Sequence, residues 1–199
     1  MISRPSRTER GFTALEITVV VAIAGIVMAF AAPRITSAMR QHRLNIATRQ
    51  VVDTLKRAKM QAMSENRTAS VAVDLDNNQI GTVVFNDDGT VNRVDYIPLA
   101  EGISFQRPPD ILGDPDGNVT DGVVSFGEQG GLVRQDFTSR GFPNVAFGAN
   151  ISLYVGNGED YRAIVMSSVG GVSLFRAEGG AWVDTRERYS SRDYRTQDH

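Results

Sequence analysis

The sequence predicts an α+β protein in which one long N-terminal helix, first transmembrane and then amphipathic, packs on an antiparallel β-sheet head. Three observations support this fold class. A charge-free apolar run lies near the N-terminus, a glycine-free stretch with helical spacing follows it, and the remainder alternates apolar and polar residues between glycine-rich turns. The composition of the 199 residues, 41% of them hydrophobic, is that of a globular chain and excludes collagen and polytopic membrane proteins.

Charge is distributed unevenly along the chain. The formal net charge is −2, yet residues 34–67 carry +6 and residues 68–199 carry −9. This division predicts a modular chain in which a basic middle segment is joined to an acidic body. Cysteine is absent, which excludes disulfides, thiolate metal sites and a cysteine nucleophile.

The N-terminal apolar run predicts a membrane-spanning helix. Residues 17–32 contain no charged side chain. Extended back to Phe12, the run would form a helix about 31 Å long, which matches the hydrocarbon thickness of a bilayer. We therefore predict a transmembrane helix over residues 12–33.

A cleaved secretory signal is the alternative interpretation of the same run. Ala29-Phe30-Ala31 supplies a small-residue cleavage site, and cleavage after Ala31 would release an exported soluble protein or hydrolase. Glu16 argues against this alternative, because a carboxylate inside such a run costs about 2–3 kcal/mol and intramembrane acids usually have a function.

The residues that precede the run carry a specific resemblance. Arg10-Gly11-Phe12-Thr13-Ala14-Leu15-Glu16, followed by the apolar stretch, resembles the class III signal of type IV pilins and type II secretion pseudopilins. The resemblance implies that residues 1–11 are a leader cut after Gly11 by a prepilin peptidase, which then N-methylates Phe12. It implies that Glu16 is an assembly residue that meets the terminal amine of a neighbouring subunit, and that Pro33 kinks the helix.

The same resemblance implies a location and a set of partners. The chain would be a single-pass inner-membrane protein, with its N-terminus cytoplasmic before cleavage and its head in the periplasm. The implied partners are the prepilin peptidase, other major and minor pseudopilins and inner-membrane lipid, with secreted cargo as a further candidate.

Residues 34–67 predict an amphipathic basic helix. They contain no glycine or proline, and their apolar residues recur at three- and four-residue steps. The apolar positions are Ile35, Met39, Leu44, Val51, Val52, Leu55, Ala58, Ala62 and Met63. The bases could contact nucleic acid or anionic headgroups, but a solvated face, or one paired with acidic bodies of neighbouring subunits, is the preferred interpretation. No aromatic residue lies between the bases to stack on single strands.

Residues 68–183 predict a β-rich head. Strands are expected at 70–75, 80–85, 91–97, 122–126, 144–147, 151–155, 162–167 and 171–175, with a hairpin turn at Asn86-Asp87-Asp88-Gly89. Trp182 is expected to pack the last strand. The polar tail, residues 184–199, is expected to be disordered.

Two head segments resemble the GspH/FimT family of minor pseudopilins. Residues 55–62 with Asn66 and Val71-Ala72-Val73 resemble the helix-to-strand entry of that domain, and residues 161–170 resemble its late strand and glycine turn. DNA-binding members of the FimT branch carry arginines where this chain has Gly171 and Ser173. The departure favours a minor pseudopilin of the type II secretion system. A FimT-like minor pilin of a type IV pilus, acting in tip assembly or DNA uptake, is the alternative, and DNA binding is not expected.

No catalytic or cofactor motif is present in the sequence. No P-loop, Rossmann fingerprint or metalloprotease motif occurs, and His42 and His199 have no evident partner for catalysis. Asp114, Asp116 and Asp121 are weak calcium candidates, since counting from Asp114 the EF-hand positions for glycine and glutamate hold other residues. The chain is therefore predicted to be a non-enzymatic protein that needs no cofactor.

Overall fold

A computed structural model describes residues 13–111, 113–115 and 122–185 of the chain. Its single described helix, α1 (Ala14–Ser64), has 51 residues, which corresponds to about 77 Å. The chain divides into two compact units, Met1–Met39 and Arg40–His199. The α+β fold class is confirmed, because antiparallel sheets follow the long helix and its later turns pack against them.

Both ends of α1 are closed by local hydrogen bonds. At the start, the Ile17 N–H donates to the Thr13 carbonyl (3.2 Å), so Thr13 is the N-cap. At the end, Asn66 adopts a left-handed conformation (φ 49°), and the Arg67 N–H donates to the Ala62 carbonyl (3.2 Å). This is the hydrogen bond of a Schellman motif, so the helix ends at Ser64 rather than at residue 67 as expected.

In the described residues, ten strands follow the helix and form two sheets. They are β1 (Ala69–Asp74), β2 (Gln79–Phe85), β3 (Val91–Pro98), β4 (Ser104–Phe105), β5 (Gly127–Gln129), β6 (Leu132–Phe137), β7 (Asn150–Gly156), β8 (Tyr161–Ser167), β9 (Val172–Glu178) and β10 (Ala181–Asp184). The first sheet has the order β3-β2-β1-β6-β5 and the second the order β10-β9-β8-β7-β4. All the strand pairs are antiparallel. The head thus holds two sheets rather than the single sheet expected.

The strand predictions fail in the middle of the head. Residues 122–126 and 144–147 are not strands; near the first segment there is only an isolated bridge between Val124 and Leu153. The strand β6, which pairs with β1, was not predicted. Its interior is Arg134-Gln135-Asp136, so the sequence does not show the alternation of apolar and polar residues that predicts a strand. Gln135 is nevertheless buried, and the Ser70 hydroxyl donates to the Asp136 carboxylate (2.5 Å). Polar side chains that find partners can therefore occupy a central strand.

The core lies between the later turns of α1 and both sheets. Leu44, Val51 and Leu55 of the helix are fully buried in one cluster with side chains from both sheets. The sheet residues of this cluster include Val71, Ile80, Phe137, Ile151, Leu153, Ile164 and Met166. Of the predicted apolar positions of the helix, Ile35, Met39 and Met63 are instead exposed, because the buried stretch of α1 begins at Leu44 and ends at Ala62.

The predicted hairpin turn between β2 and β3 is confirmed. The Asn86 N–H donates to the Thr90 carbonyl (2.9 Å), and Gly89 has φ 82°. A side chain at Gly89 would strain this left-handed position.

Candidate functional site

The predicted assembly site lies at the start of α1. Gly11 and Phe12, the predicted cleavage junction and methylation site, lie outside the described residues. Glu16 is the acidic residue of the first helical turn and is exposed. Its backbone N–H donates to the Thr13 hydroxyl oxygen (3.2 Å). Thr13 and Glu16 therefore have the spacing and one of the hydrogen bonds of a capping box.

The capping geometry determines what Glu16 can do chemically. A carboxylate in the first turn is stabilised by the positive end of the helix dipole and by the free N–H groups there. The same position leaves the carboxylate exposed. Sequence reasoning identified Glu16 but missed the N-cap Thr13, although the pattern Thr-x-x-Glu was readable.

Among the described residues, the large apolar side chains of the first unit are exposed. Large apolar side chains are exposed on all sides of the helix; they are Leu15, Ile17, Val19, Val20, Val21, Ile23, Ile26, Val27, Met28 and Phe30. The helix is long and apolar enough to cross a membrane, and none of its most apolar window is buried. A core helix would be mostly buried, whereas a signal sequence near the N-terminus would show the same properties.

Pro33 lies inside the continuous helix. Because proline has no N–H, the Ala29 carbonyl loses its usual intrahelical donor. The kink expected at Pro33 remains a prediction.

Several bases of the later helix bind the head of the same chain. Arg40 forms an ion pair with Glu159 (2.8 Å), and Arg43 lies 3.6 Å from the carboxylate of Glu101. The Lys59 ammonium donates to the Gly170 carbonyl (3.2 Å). Some bases of the later helix therefore bind carboxylates or carbonyl groups in the turns of the same head. The solvated face that was expected accounts for only part of the basic residues.

The weak cation candidates do not form a metal site in the described part of the chain. Asp116 and Asp121 lie outside the described residues. Asp114 is buried 2.9 Å from the Arg107 guanidinium and accepts a hydrogen bond from the Tyr154 hydroxyl. No group of three metal-ligating side chains occurs among the described residues.

Asp114 instead belongs to a buried polar cluster that sequence reasoning missed. Burial, together with the hydrogen bond to Asp114, raises the pKa of Tyr154, so its hydroxyl remains a donor. The Tyr154 ring lies 5.4 Å from that of Trp182, whose indole N–H donates to the Gly113 carbonyl (2.9 Å). The cluster ties the loop after β4 to β7 and β10, and Trp182 packs the last strand as predicted.

The glycine turn that distinguishes the FimT branch lies between β8 and β9. The Ser167 N–H donates to the Gly171 carbonyl (2.9 Å). Arg176, the first base after the turn, forms an ion pair with Glu178 and lies opposite Arg162 in the sheet. Burial lowers the pKa of Arg162; Asp160 opposes this effect and the Arg176 charge adds to it. Both arginines are thus partly covered rather than displayed in an open array.

Comparisons with known proteins locate two similar structures. No protein-family model and no curated protein sequence matches the chain. The minor pseudopilin EpsH from the type 2 secretion system of Vibrio cholerae is similar with 13% identity and a TM-score of 0.45, over 66% of this chain and 95% of that one. The type IV minor pilin FimU of Pseudomonas aeruginosa is similar with 13% identity and a TM-score of 0.44, over 72% and 94%. These values do not place the chain in either family.

Proposed function

We propose that the chain is a pilin-like assembly subunit anchored in a membrane by the first half of α1. The observation that carries the proposal is that one continuous helix has two surfaces. Its first turns, with Glu16 at their start, expose apolar side chains on every side, and its later turns supply the core of a β-rich head. A soluble domain would leave the apolar turns uncovered in water, which soluble monomers avoid.

The proposed mechanism is processing followed by interaction. Cleavage after Gly11 by a prepilin peptidase would make N-methylated Phe12 the first residue. In a membrane or filament core, its ammonium and the Glu16 carboxylate of a neighbouring subunit are each costly alone and less costly when paired. Glu16 would thus set the register between subunits while the helices pack. No catalytic step is assigned to the chain.

The machine that we propose is a type II secretion pseudopilus, with this chain as a minor pseudopilin. The proposal rests on Gly171 and Ser173, which stand where DNA-binding FimT proteins carry arginines, and on the partly covered Arg176. A FimT-like minor pilin of a type IV pilus is the second candidate. In either case the chain would be a single-pass inner-membrane protein with a periplasmic head.

The deciding experiment is mass spectrometry of the mature N-terminus. A chain that begins with N-methyl-Phe12 supports the proposal, and a chain that begins with Ala32 refutes it in favour of an exported soluble protein. A second test uses Glu16→Ala, which should be cleaved and stay in the membrane yet fail to enter filaments.

Glu128→Ala is the matched control for Glu16→Ala. Glu128 is an exposed carboxylate on the edge strand β5, so its removal should leave filament entry unchanged. Normal incorporation of the Glu16→Ala variant would refute the register role of that residue. To separate the two machines, the wild-type chain is titrated with short duplex DNA at low salt, where binding would favour the pilus candidate.

A further inference from the structure

Two turns of the head meet the last turns of α1 in close contact. A Cβ atom at Gly141 would lie 2.6 Å from the Met63 sulfur, and one at Gly170 would lie 2.6 Å from the Lys59 nitrogen and 3.3 Å from the Gly141 carbonyl oxygen. Residues 138–142 and 167–171 therefore contact the helix end and each other. We call the surface formed by Met63, Phe142 and Val169, with Lys59 and Arg140 beside them, the end patch.

The end patch is apolar at its centre, and both of its turns are closed by backbone hydrogen bonds. Met63, Phe142 and Val169 are 53%, 42% and 64% exposed. The first turn is closed by the Thr138 N–H, which donates to the Phe142 carbonyl (2.8 Å), and the second by the Gly170 N–H, which donates to the Ser167 carbonyl (2.7 Å). Turn tips usually carry polar residues, so an exposed valine and phenylalanine on two fixed turns indicate a contact surface.

The charges beside the end patch are positive. Arg140 is exposed at the tip of its turn, and Lys59 lies between the two turns and the helix. The nearest acid along the helix end, Glu65, is already bound by Arg67 and Gln61. This end of the head is therefore basic, although residues 68–199 carry −9 in total. A partner that complements it has an acidic rim around an apolar side chain.

We propose that the end patch binds an acidic protein surface that presents an apolar side chain, supplied by the head of another pilin-like subunit. This inference rests on the proposed function for the class of partner. Nucleic acid fits less well, because affinity for it grows with the number of phosphates neutralised. Lys59 also bonds a carbonyl, and Arg67 beyond the helix end is paired with Glu65, so few of the bases near the patch are available to phosphates.

The test measures binding of the full-length chain to partner chains in detergent micelles. The partners are the other full-length chains of the same organism that carry a Gly-Phe junction with glutamate five residues after the glycine. Val169→Asp should weaken the interaction at least about tenfold, because it removes an apolar contact and adds a charge that repels an acidic partner. Arg140→Glu should weaken it by a similar factor at low salt and by less at high salt.

Matched controls separate the end patch from general effects of charge and exposure. Leu75→Asp changes an exposed apolar side chain in the β1–β2 turn, and Arg49→Glu reverses an exposed charge on the helix; both should bind like the wild-type chain. Equal melting temperatures of all four variants show that the head is folded.

Three results would overturn the inference. One is unchanged binding by Val169→Asp and Arg140→Glu, another is equal loss in the controls, and the third is binding of single-stranded DNA that depends on the same two residues. The N-terminal mass reports on the proposed function separately. If the mature chain begins with N-methyl-Phe12 but binds no partner through Val169, the binding role of the end patch is refuted while the proposed function stands.

Discussion

The two halves of α1 differ in which side chains they expose and which they bury, although they form one helix. Between Leu15 and Phe30 the large apolar side chains are exposed around the whole circumference, whereas from Arg40 onward one face is buried and the other carries charge. A helix that is apolar on one face buries that face against a protein core. A helix that is apolar on all sides is instead surrounded by lipid or by other protein segments. The difference assigns the two halves to different surroundings.

The largest expected effect is on the stability of the head, and it should arise only from the second half of the helix. Leu55→Ala removes a fully buried side chain at the centre of the core and should lower the free energy of unfolding by about 2–5 kcal/mol. Ile23→Ala removes a side chain of similar size that is exposed, and it should change the free energy of unfolding by less than about 0.5 kcal/mol. Chemical denaturation in micelles measures both, and a large effect of Ile23→Ala would break the comparison.

The second prediction concerns membrane attachment and reverses the roles of the two halves. Ile23→Lys places a charge near the middle of the apolar stretch and should disfavour insertion by about 3–4 kcal/mol. Ile46→Lys changes an exposed apolar residue of the second half and should leave attachment intact. Carbonate extraction of membranes measures the bound fraction. Equal release of both variants would show that the two halves do not differ in their need for lipid.

The helix was predictable because its signals are local, and the head was less so. The uncharged run and the three- and four-residue spacing are read within a few turns, and the buried residues from Leu44 to Ala62 follow that spacing. The exposed Met63 shows the limit of periodicity, because where burial stops depends on how far the sheets extend. The strand β6 escaped notice because its interior is polar, and part of what satisfies Gln135 and Asp136 comes from residues outside the strand, such as Asn144 and Ser70.

The candidate site was predictable in its residue types but not in its local geometry. Glu16 stood out because a charge interrupts an apolar stretch. Thr13 did not, since a hydroxyl beside such a stretch has little meaning until the helix start is known. For Asp114, acidity in a turn-rich loop suggested a cation, whereas the structure supplies Arg107 and Tyr154 as its partners. Long-range partners of this kind cannot be read from spacing.

A smaller effect is expected at the very start of the first half. Thr13→Ala removes the N-cap hydroxyl that accepts the Glu16 N–H and should destabilise the first turn by about 1 kcal/mol. Hydrogen exchange of the Glu16 amide in micelles should then quicken roughly fivefold. Thr18→Ala is the control, because the Thr18 hydroxyl donates to a carbonyl one turn back and caps nothing. Unchanged exchange of the Glu16 amide in the Thr13→Ala variant would show that the Thr13 hydroxyl does not stabilise the first turn.

The smallest expected effect tests how the second half holds its charges. Arg40 and Glu159 are paired at 2.8 Å but both side chains are about half exposed or more, so the pair should contribute only about 0.2–1 kcal/mol. A double-mutant cycle with Arg40→Ala and Glu159→Ala isolates that coupling, and it should shrink as salt rises because exposed charges are screened. A coupling near zero at low salt would mean that the bases of the second half serve solvation alone. A coupling above about 2 kcal/mol would mean that the acidic turn is clamped to the helix far more firmly than an exposed ion pair allows.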